Sequence, residues 1–202
     1  MKALLLIDIQ NDFVPGGALA VPEGNQIIHL SNQLQEKFDL VVATQDWHPA
    51  NHKSFASNHE GKQIFEKTEL HGLEQVLWPD HCVQGTPGAE FCTTLDMNKV
   101  EAIFRKGMNP EIDSYSGFYD NGRLKTTALA DFLRSKQVTE VYLAGLAADF
   151  CVYFSAKDAL HEGFKATIIE DATRAIDPAG FEQAKADLVS RGGSIMYSSI
   201  LL

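Results

Sequence analysis

The parts of this chain that could do chemistry are a cysteine after an apolar run, two charged residues that end other runs, and a D-x-H tripeptide. Cys151 follows the run Val141–Gly145 through Leu146-Ala147-Ala148 and stands where a helix is expected to begin. A thiol in the first turn of a helix feels the positive end of the macrodipole and free backbone N–H groups, which favour the thiolate. An unperturbed thiol of pKa about 8.5 is only a few per cent ionised at pH 7. Lowering that value by about two units corresponds to about 2.7 kcal/mol, and a nearby lysine could supply part of it. Asp8 ends the first apolar run and Lys106 the third, so a carboxylate and an ammonium are both available as partners for the sulfur.

Asp46-x-His48, with His81 further along, offers a carboxylate and two imidazoles. Such a set suits one divalent transition metal ion (zinc, iron or manganese) and leaves positions open for water or substrate. The tripeptide occurs often by chance, so its spacing alone does not establish a metal site. His52 is a further candidate ligand, whereas His59 and His71 read as solvated loop residues. Cys82, in a long loop, and Cys92, on an apparent short helix, read as small buried hydrophobes.

Positioning such residues calls for a scaffold, and the hydrophobic pattern supplies one. Short apolar runs recur at Ala3–Ile9, Leu40–Thr44, Val100–Arg105, Val141–Gly145, Ala166–Ile169 and Ser194–Ser198. Continuous runs of that length are expected of parallel strands buried on both faces. Between them, Ile27, Leu30 and Leu34 share a helical face, as do Leu129, Phe132 and Leu133; so do Val152, Ala156, Ala159 and Leu160, and Phe181, Ala184 and Leu188. Asp177-Pro178 reads as an N-cap with proline at the first helical position, and Gly192-Gly193 ends that helix. The alternation predicts an α/β fold: a doubly wound, mostly parallel six-stranded sheet with helices on both faces. Ligands of such sheets bind beyond the carboxyl ends of the strands, and Asp8, Asp46, His48, Lys106 and Cys151 all lie there.

The stretch from about 47 to 85 breaks this rhythm and holds five of the seven histidines and both tryptophans. A loop of that length without elements of its own is uncommon unless functional, so it reads as a metal-binding loop over the site. With no repeat, linker or low-complexity tract, residues 1–202 are expected to form a single domain. Hydrophobic residues make up 45% and charged residues 22% of the chain, as in ordinary globular proteins. A net charge of −10 repels phosphate backbones, which argues against nucleic acid as a partner. No 18-residue apolar run exists, three cysteines do not make a disulfide framework, and the expected location is the cytoplasm, away from membranes.

Five motifs in order carry a family resemblance. Asp8-Ile9-Gln10-Asn11-Asp12-Phe13 with Pro15-Gly16-Gly17-Ala18-Leu19, then Thr44-Gln45-Asp46-Trp47-His48-Pro49, then Trp78 to Ala89, then Lys106-Gly107, then Gly145 to Val152, resemble the nicotinamidases of the isochorismatase-like cysteine hydrolases. The resemblance covers nearly the whole chain and implies the isochorismatase-like hydrolase fold. It implies Asp8, Lys106 and Cys151 as the catalytic triad, and Asp46, His48 and His81 as metal ligands. Phe13 and Trp78 would flank a pyridine ring, the N–H groups of Ala147 and Cys151 would form an oxyanion hole, and a cis peptide would precede Ala147. The activity implied is hydrolysis of nicotinamide to nicotinic acid and ammonia, with pyrazinamide as a further substrate. Some relatives place an extra ligand in the loop, and spacing does not fix whether His52 fills that place. A homo-oligomer stays open. The rivals are a carbamoyl- or ureido-amidohydrolase or an isochorismatase of the same superfamily, and a non-catalytic ligand-binding homologue. Asp46, His48, His81 and Cys151 set the chain apart from the first two, and the intact triad from the last.

Overall fold

A computed structural model describes all of residues 1–202 and contains eight strands. They are β1 (Lys2–Ile7), β2 (Leu40–Asp46), β3 (Lys67–Leu70), β4 (Leu73–Val76), β5 (Val100–Lys106), β6 (Glu140–Leu146), β7 (Lys165–Arg174) and β8 (Ser194–Met196). Six of them form one sheet in the order β5-β2-β1-β6-β7-β8, and every neighbouring pair runs parallel. The chain winds outward from β1 through β2 to β5, then crosses back to β6 and winds outward the other way. The expected doubly wound sheet is therefore present, with its reversal between β1 and β6. Four α-helices accompany it: α1 (Ile27–Gln35), α2 (Leu129–Ser135), α3 (Tyr153–His161) and α4 (Pro178–Ser190).

Alternation along buried strands explains the two-sided core. In β1, Ala3, Leu5 and Ile7 face a cluster that includes Leu129, Leu133, Ala156, Phe181 and Leu188 from α2, α3 and α4. Leu4 and Leu6 face the opposite cluster, with Ile27, Ile28 and Leu34 of α1 and with Trp78, Cys82 and Ala89 from the segments outside the sheet. In α4, the Asp177 side chain accepts a hydrogen bond from Ala179 N–H at 3.0 Å, with Pro178 in the first turn, as the sequence predicts.

Several boundaries differ from expectation, each for a physical reason. β1 stops two residues early because Asp8 adopts a left-handed φ of 47°, a conformation aspartate tolerates better than most residues. β2 and β5 run on to Asp46 and Lys106, which are register partners across the two strands, so their opposite charges continue the ladder that apolarity begins. Gly145 has φ +127°, and a Cβ there would sit 2.0 Å from the Ile7 carbonyl oxygen; only glycine lets β6 approach β1 this closely.

The stretch expected to lack elements contains a short helical turn at Ala56–Asn58 and the antiparallel β3–β4 hairpin. Its two-residue turn, His71-Gly72, has positive φ at both positions (50° and 78°), as type I′ hairpins require. Bridges pair His48 with Val83 and Phe55 with Trp78, so the two ends of the stretch lie side by side. The helix expected at Cys92 is absent. Cys92 N–H donates to Ile9 O at 3.0 Å, and its neighbour Phe91 bridges Gln10, which holds this segment extended against the end of β1.

Leu5 is fully buried in the central strand. Leu5→Ala should cost about 2–5 kcal/mol, as cavity-forming core truncations do. Urea unfolding is expected to show a lower midpoint with an unchanged m-value; an unchanged midpoint would mean that this packing does not hold the sheet.

Candidate active site

The carboxyl ends of four neighbouring strands deliver the reactive side chains to one place. Asp8 follows β1, Asp46 and Lys106 end β2 and β5, and Cys151 sits in the turn after β6. Lys106 is at the centre. Its Nζ lies 3.0 Å from Asp8 Oδ2, 3.0 Å from Asp46 Oδ1 and 3.5 Å from Cys151 Sγ, and it donates to Ser114 O at 2.9 Å. Thr44 Oγ1 donates to Asp8 Oδ1 at 2.6 Å, while no hydrogen-bond donor is aligned on Asp8 Oδ2. Asp8, Lys106 and Cys151 thus meet, with Asp8 Oδ2 held by the charge of Lys106 and not by an aligned hydrogen bond.

Cys151 is not in the first turn of an α-helix. Ala148–Val152 form a π-helical turn ahead of α3, closed by a 3.1 Å bond from Val152 N–H to Ala147 O. The Leu146–Ala147 peptide is cis, as the resemblance implies. Burial pushes the Cys151 thiol well above its usual value; Lys106 pulls it down, but Asp8 and Asp46 push it further up. Burial is the largest of these effects and Lys106 the next, so the protein groups do not by themselves favour the thiolate that a helix terminus would. Burial also raises Asp8, although Lys106 works against it, and that makes the carboxylate a stronger base. Lys106 is raised well above its usual value: burial lowers it, and Asp46, Asp8 and Cys151 more than reverse that. Its ammonium stays charged.

The second cluster stands beside the first and shares Asp46. Asp46 Oδ2 lies 2.9 Å from His48 Nε2 and 3.4 Å from His81 Nε2. Backbone carbonyls orient both rings: His48 Nδ1 is 2.9 Å from Gly107 O, and His81 Nδ1 is 2.8 Å from Pro79 O. A carbonyl only accepts, so each Nδ1 carries a proton; without an ion His48 Nε2 also shares one with Asp46 Oδ2, and with an ion bound each Nε2 would turn its lone pair to it. Three acceptors facing one another repel unless something positive lies between them. This donor set, with ligand atoms within 4.8 Å of one another, fits a divalent cation. Gly107 is needed for the arrangement: its φ is +67°, and a Cβ there would meet His48 Cε1 at 2.3 Å. Against its burial, Asp46 is held well below the usual carboxylate range by His48 and Lys106. His52 is also fully buried nearby, whereas the ring of His59 contacts Lys53 O and that of His71 is exposed on the hairpin turn.

A small pocket adjoins both clusters. Phe13, Trp78, Tyr115 and Phe150 give it aromatic walls, and Asp46, His81, Ala147 and Cys151 also line it. Phe13 and Trp78 were expected there; Tyr115 and Phe150 were not. Phe150, next to Cys151 in sequence, could have been suspected, whereas nothing local marks Tyr115. Gln75 of β4 ties the hairpin to this wall by donating to Tyr115 Oη at 3.0 Å and to Asp113 Oδ2 at 2.9 Å. Gln10 is another unforeseen part. It donates to Asp46 O at 2.8 Å and to Ala89 O at 2.9 Å and accepts from Asp46 N–H at 2.8 Å, clamping the end of β2.

Residues 2–199 match the model of the isochorismatase domain family. The chain is 46% identical over 202 residues to the nicotinamidase of Escherichia coli, covering 98% of this chain and 94% of that protein. Among solved structures, the Acinetobacter baumanii nicotinamidase pyrazinamidase superposes with a TM-score of 0.97 at 46% identity, covering 100% of this chain and 98% of that one. The Pyrococcus horikoshii pyrazinamidase, solved in complex with zinc, gives a TM-score of 0.80 at 40% identity, covering 97% and 98%. Sheet order, sequence and superposition agree: this chain belongs to the isochorismatase-domain family, on the branch occupied by nicotinamidases and pyrazinamidases.

Proposed function

We propose that the protein is a cysteine amidohydrolase that converts nicotinamide to nicotinic acid and ammonia, with pyrazinamide as a second substrate. One observation carries the reading: Asp8, Lys106 and Cys151 meet at an aromatic pocket whose wall also includes metal-type ligands. Asp46, His48 and His81 would hold a single divalent ion, for which the zinc complex of the Pyrococcus horikoshii relative is a precedent. Bound there, the ion would supply a Lewis-acidic anchor for the ring nitrogen of the substrate.

Within this reading the residues divide the work. The aromatic walls, Phe13 and Trp78 among them, seat the flat ring with its carboxamide at the sulfur. Asp8 takes the thiol proton of Cys151 as the sulfur attacks the carboxamide carbon. The N–H groups of Ala147 and Cys151 receive the developing oxyanion, a kind of preorganised donor typically worth about 10²–10³ in rate. Asp8 returns its proton to the departing ammonia. The same carboxylate then activates the water that hydrolyses the thioester. Lys106 keeps Asp8 and the sulfur together and balances the negative charge that moves between them. The product is a pyridine carboxylate, which places the enzyme in the salvage of pyridine nucleotides. No helix is long and apolar enough to cross a membrane, and a cytoplasmic location fits a small diffusible substrate.

Cys151→Ala is expected to stop ammonia release from nicotinamide while the thermal midpoint and equilibrium binding of the ring stay close to those of the parent. Continued release would remove the cysteine from the reaction. Asp8→Asn is expected to lower kcat/KM by about 10²–10⁴. The base acts ionised and its pKa is raised, so activity of the parent should climb with pH through a limb above 3.8, the ordinary carboxylate value. An acid limb at or below that value would place the base elsewhere. Removal of metal by a chelator is expected to raise KM for nicotinamide far more than it lowers kcat; unchanged kinetics in verified metal-free protein would exclude the anchoring role.

A further inference from the structure

Three histidines are buried side by side, and the backbone sets them in opposite tautomers. His48 and His81 each face a carbonyl with Nδ1, so the proton sits there and Nε2 is the atom that would turn its lone pair to a bound ion. His52 does the reverse. Its Nδ1 accepts the Ser54 backbone N–H at 3.1 Å and lies 2.7 Å from Ser54 Oγ. An N–H only donates, so Nδ1 of this ring holds the lone pair and Nε2 carries the proton. That Nε2 is fully buried and has no partner in the protein. A buried donor without an acceptor costs about 1–3 kcal/mol, so its position calls for something to receive it.

The His52 and His48 rings are 4.3 Å apart, and ligand-capable atoms of His48, His52 and Asp113 lie within 4.8 Å of one another. Asp113 is itself buried; its Oδ1 accepts from Ser114 N–H at 2.8 Å and its Oδ2 from Gln75 Nε2 at 2.9 Å. Lone pairs remain on that carboxylate, yet no direct bond joins it to His52. One water molecule suits the remaining span: it accepts from His52, donates to Asp113 and keeps a lone pair for a cation beside it.

We infer that His52 is a hydrogen-bond donor to a water molecule shared with Asp113, and so a positioning residue beside the cation site and not one of its ligands. The inference rests on the proposed cation at Asp46, His48 and His81, and it fixes the number of protein ligands at three. Turning His52 into a ligand through Nε2 would require it to shed the Ser54 N–H bond or to become an anion.

Ring-nitrogen NMR tests this directly. In protein labelled with nitrogen-15 at histidine and loaded with cadmium-113, two histidines, His48 and His81, should show metal coupling at Nε2. His52 should show a protonated Nε2 without coupling, and a third coupled histidine would overturn the inference. If cadmium does not bind, the cation reading fails, yet the metal-free protein still reports the His52 tautomer; a proton on Nδ1 there would overturn the inference by itself. In zinc competition titrations, His52→Ala should weaken binding about 10–100-fold, as loss of an outer partner does. His52→Gln, whose amide can accept from Ser54 and donate inward, should recover most of that loss, and a Gln variant as weak as the Ala variant would count against the donor role.

Discussion

A buried ammonium organises this end of the molecule. Taking a charge out of water costs several kcal/mol even after relaxation, and only well-placed partners of opposite sign offset it. Lys106 has two carboxylates at 3.0 Å, one from each of two neighbouring strands, together with a backbone carbonyl and the sulfur. Removing either carboxylate would take away one of the two 3.0 Å contacts that offset the burial of this ammonium. The Asp8 and Cys151 side joins the ammonium to the sulfur, and the Asp46 side joins it to the histidine cluster. The two halves of the site are therefore electrically one unit.

The sheet makes that unit possible. Parallel strands end on a common edge, and reversal of the winding between β1 and β6 opens the crevice where their loops part. Asp8 and Cys151 come from those two strands, while Asp46 and Lys106 are register partners on the next two. Glycines at 145 and 107 let the backbone close in where a side chain would collide, the first against Ile7 O and the second against the His48 ring. Carbonyl groups then hold the Nδ1 protons of His48 and His81, which leaves Nε2 of each ring turned to Asp46.

Much of this was legible in the sequence, for identifiable reasons. Strands buried on both faces leave continuous apolar runs, so all six sheet strands were found, and the rule that sites lie at their carboxyl ends brought Asp8, Asp46, Lys106 and Cys151 together. What escaped depends on partners far away in the chain. The β3–β4 hairpin is only half buried and carries few apolar residues, so its alternation is weak; its His71-Gly72 turn was the one usable signal. Tyr115 joins the pocket wall through Gln75, 40 residues away. The surroundings of Cys151 escaped because helix-end reasoning counts one dipole, whereas the folded site adds burial, Lys106 and two carboxylates. His52 could be seen as a candidate, but its tautomer is set by a bond to Ser54 that spacing does not reveal.

The central claim is that the sulfur of Cys151 stands ready to add to a carbonyl on a ring held in the aromatic pocket. Pyridine-3-carboxaldehyde labelled with carbon-13 at the aldehyde tests it, since a thiol adds reversibly to such a carbon without any leaving group. On binding, the carbon-13 resonance should move from the aldehyde region to that of a tetrahedral carbon bonded to sulfur, and should fail to do so once Cys151 has been alkylated. A ligand that binds in the pocket yet keeps its aldehyde resonance, or shows only the hydrate, would contradict the account.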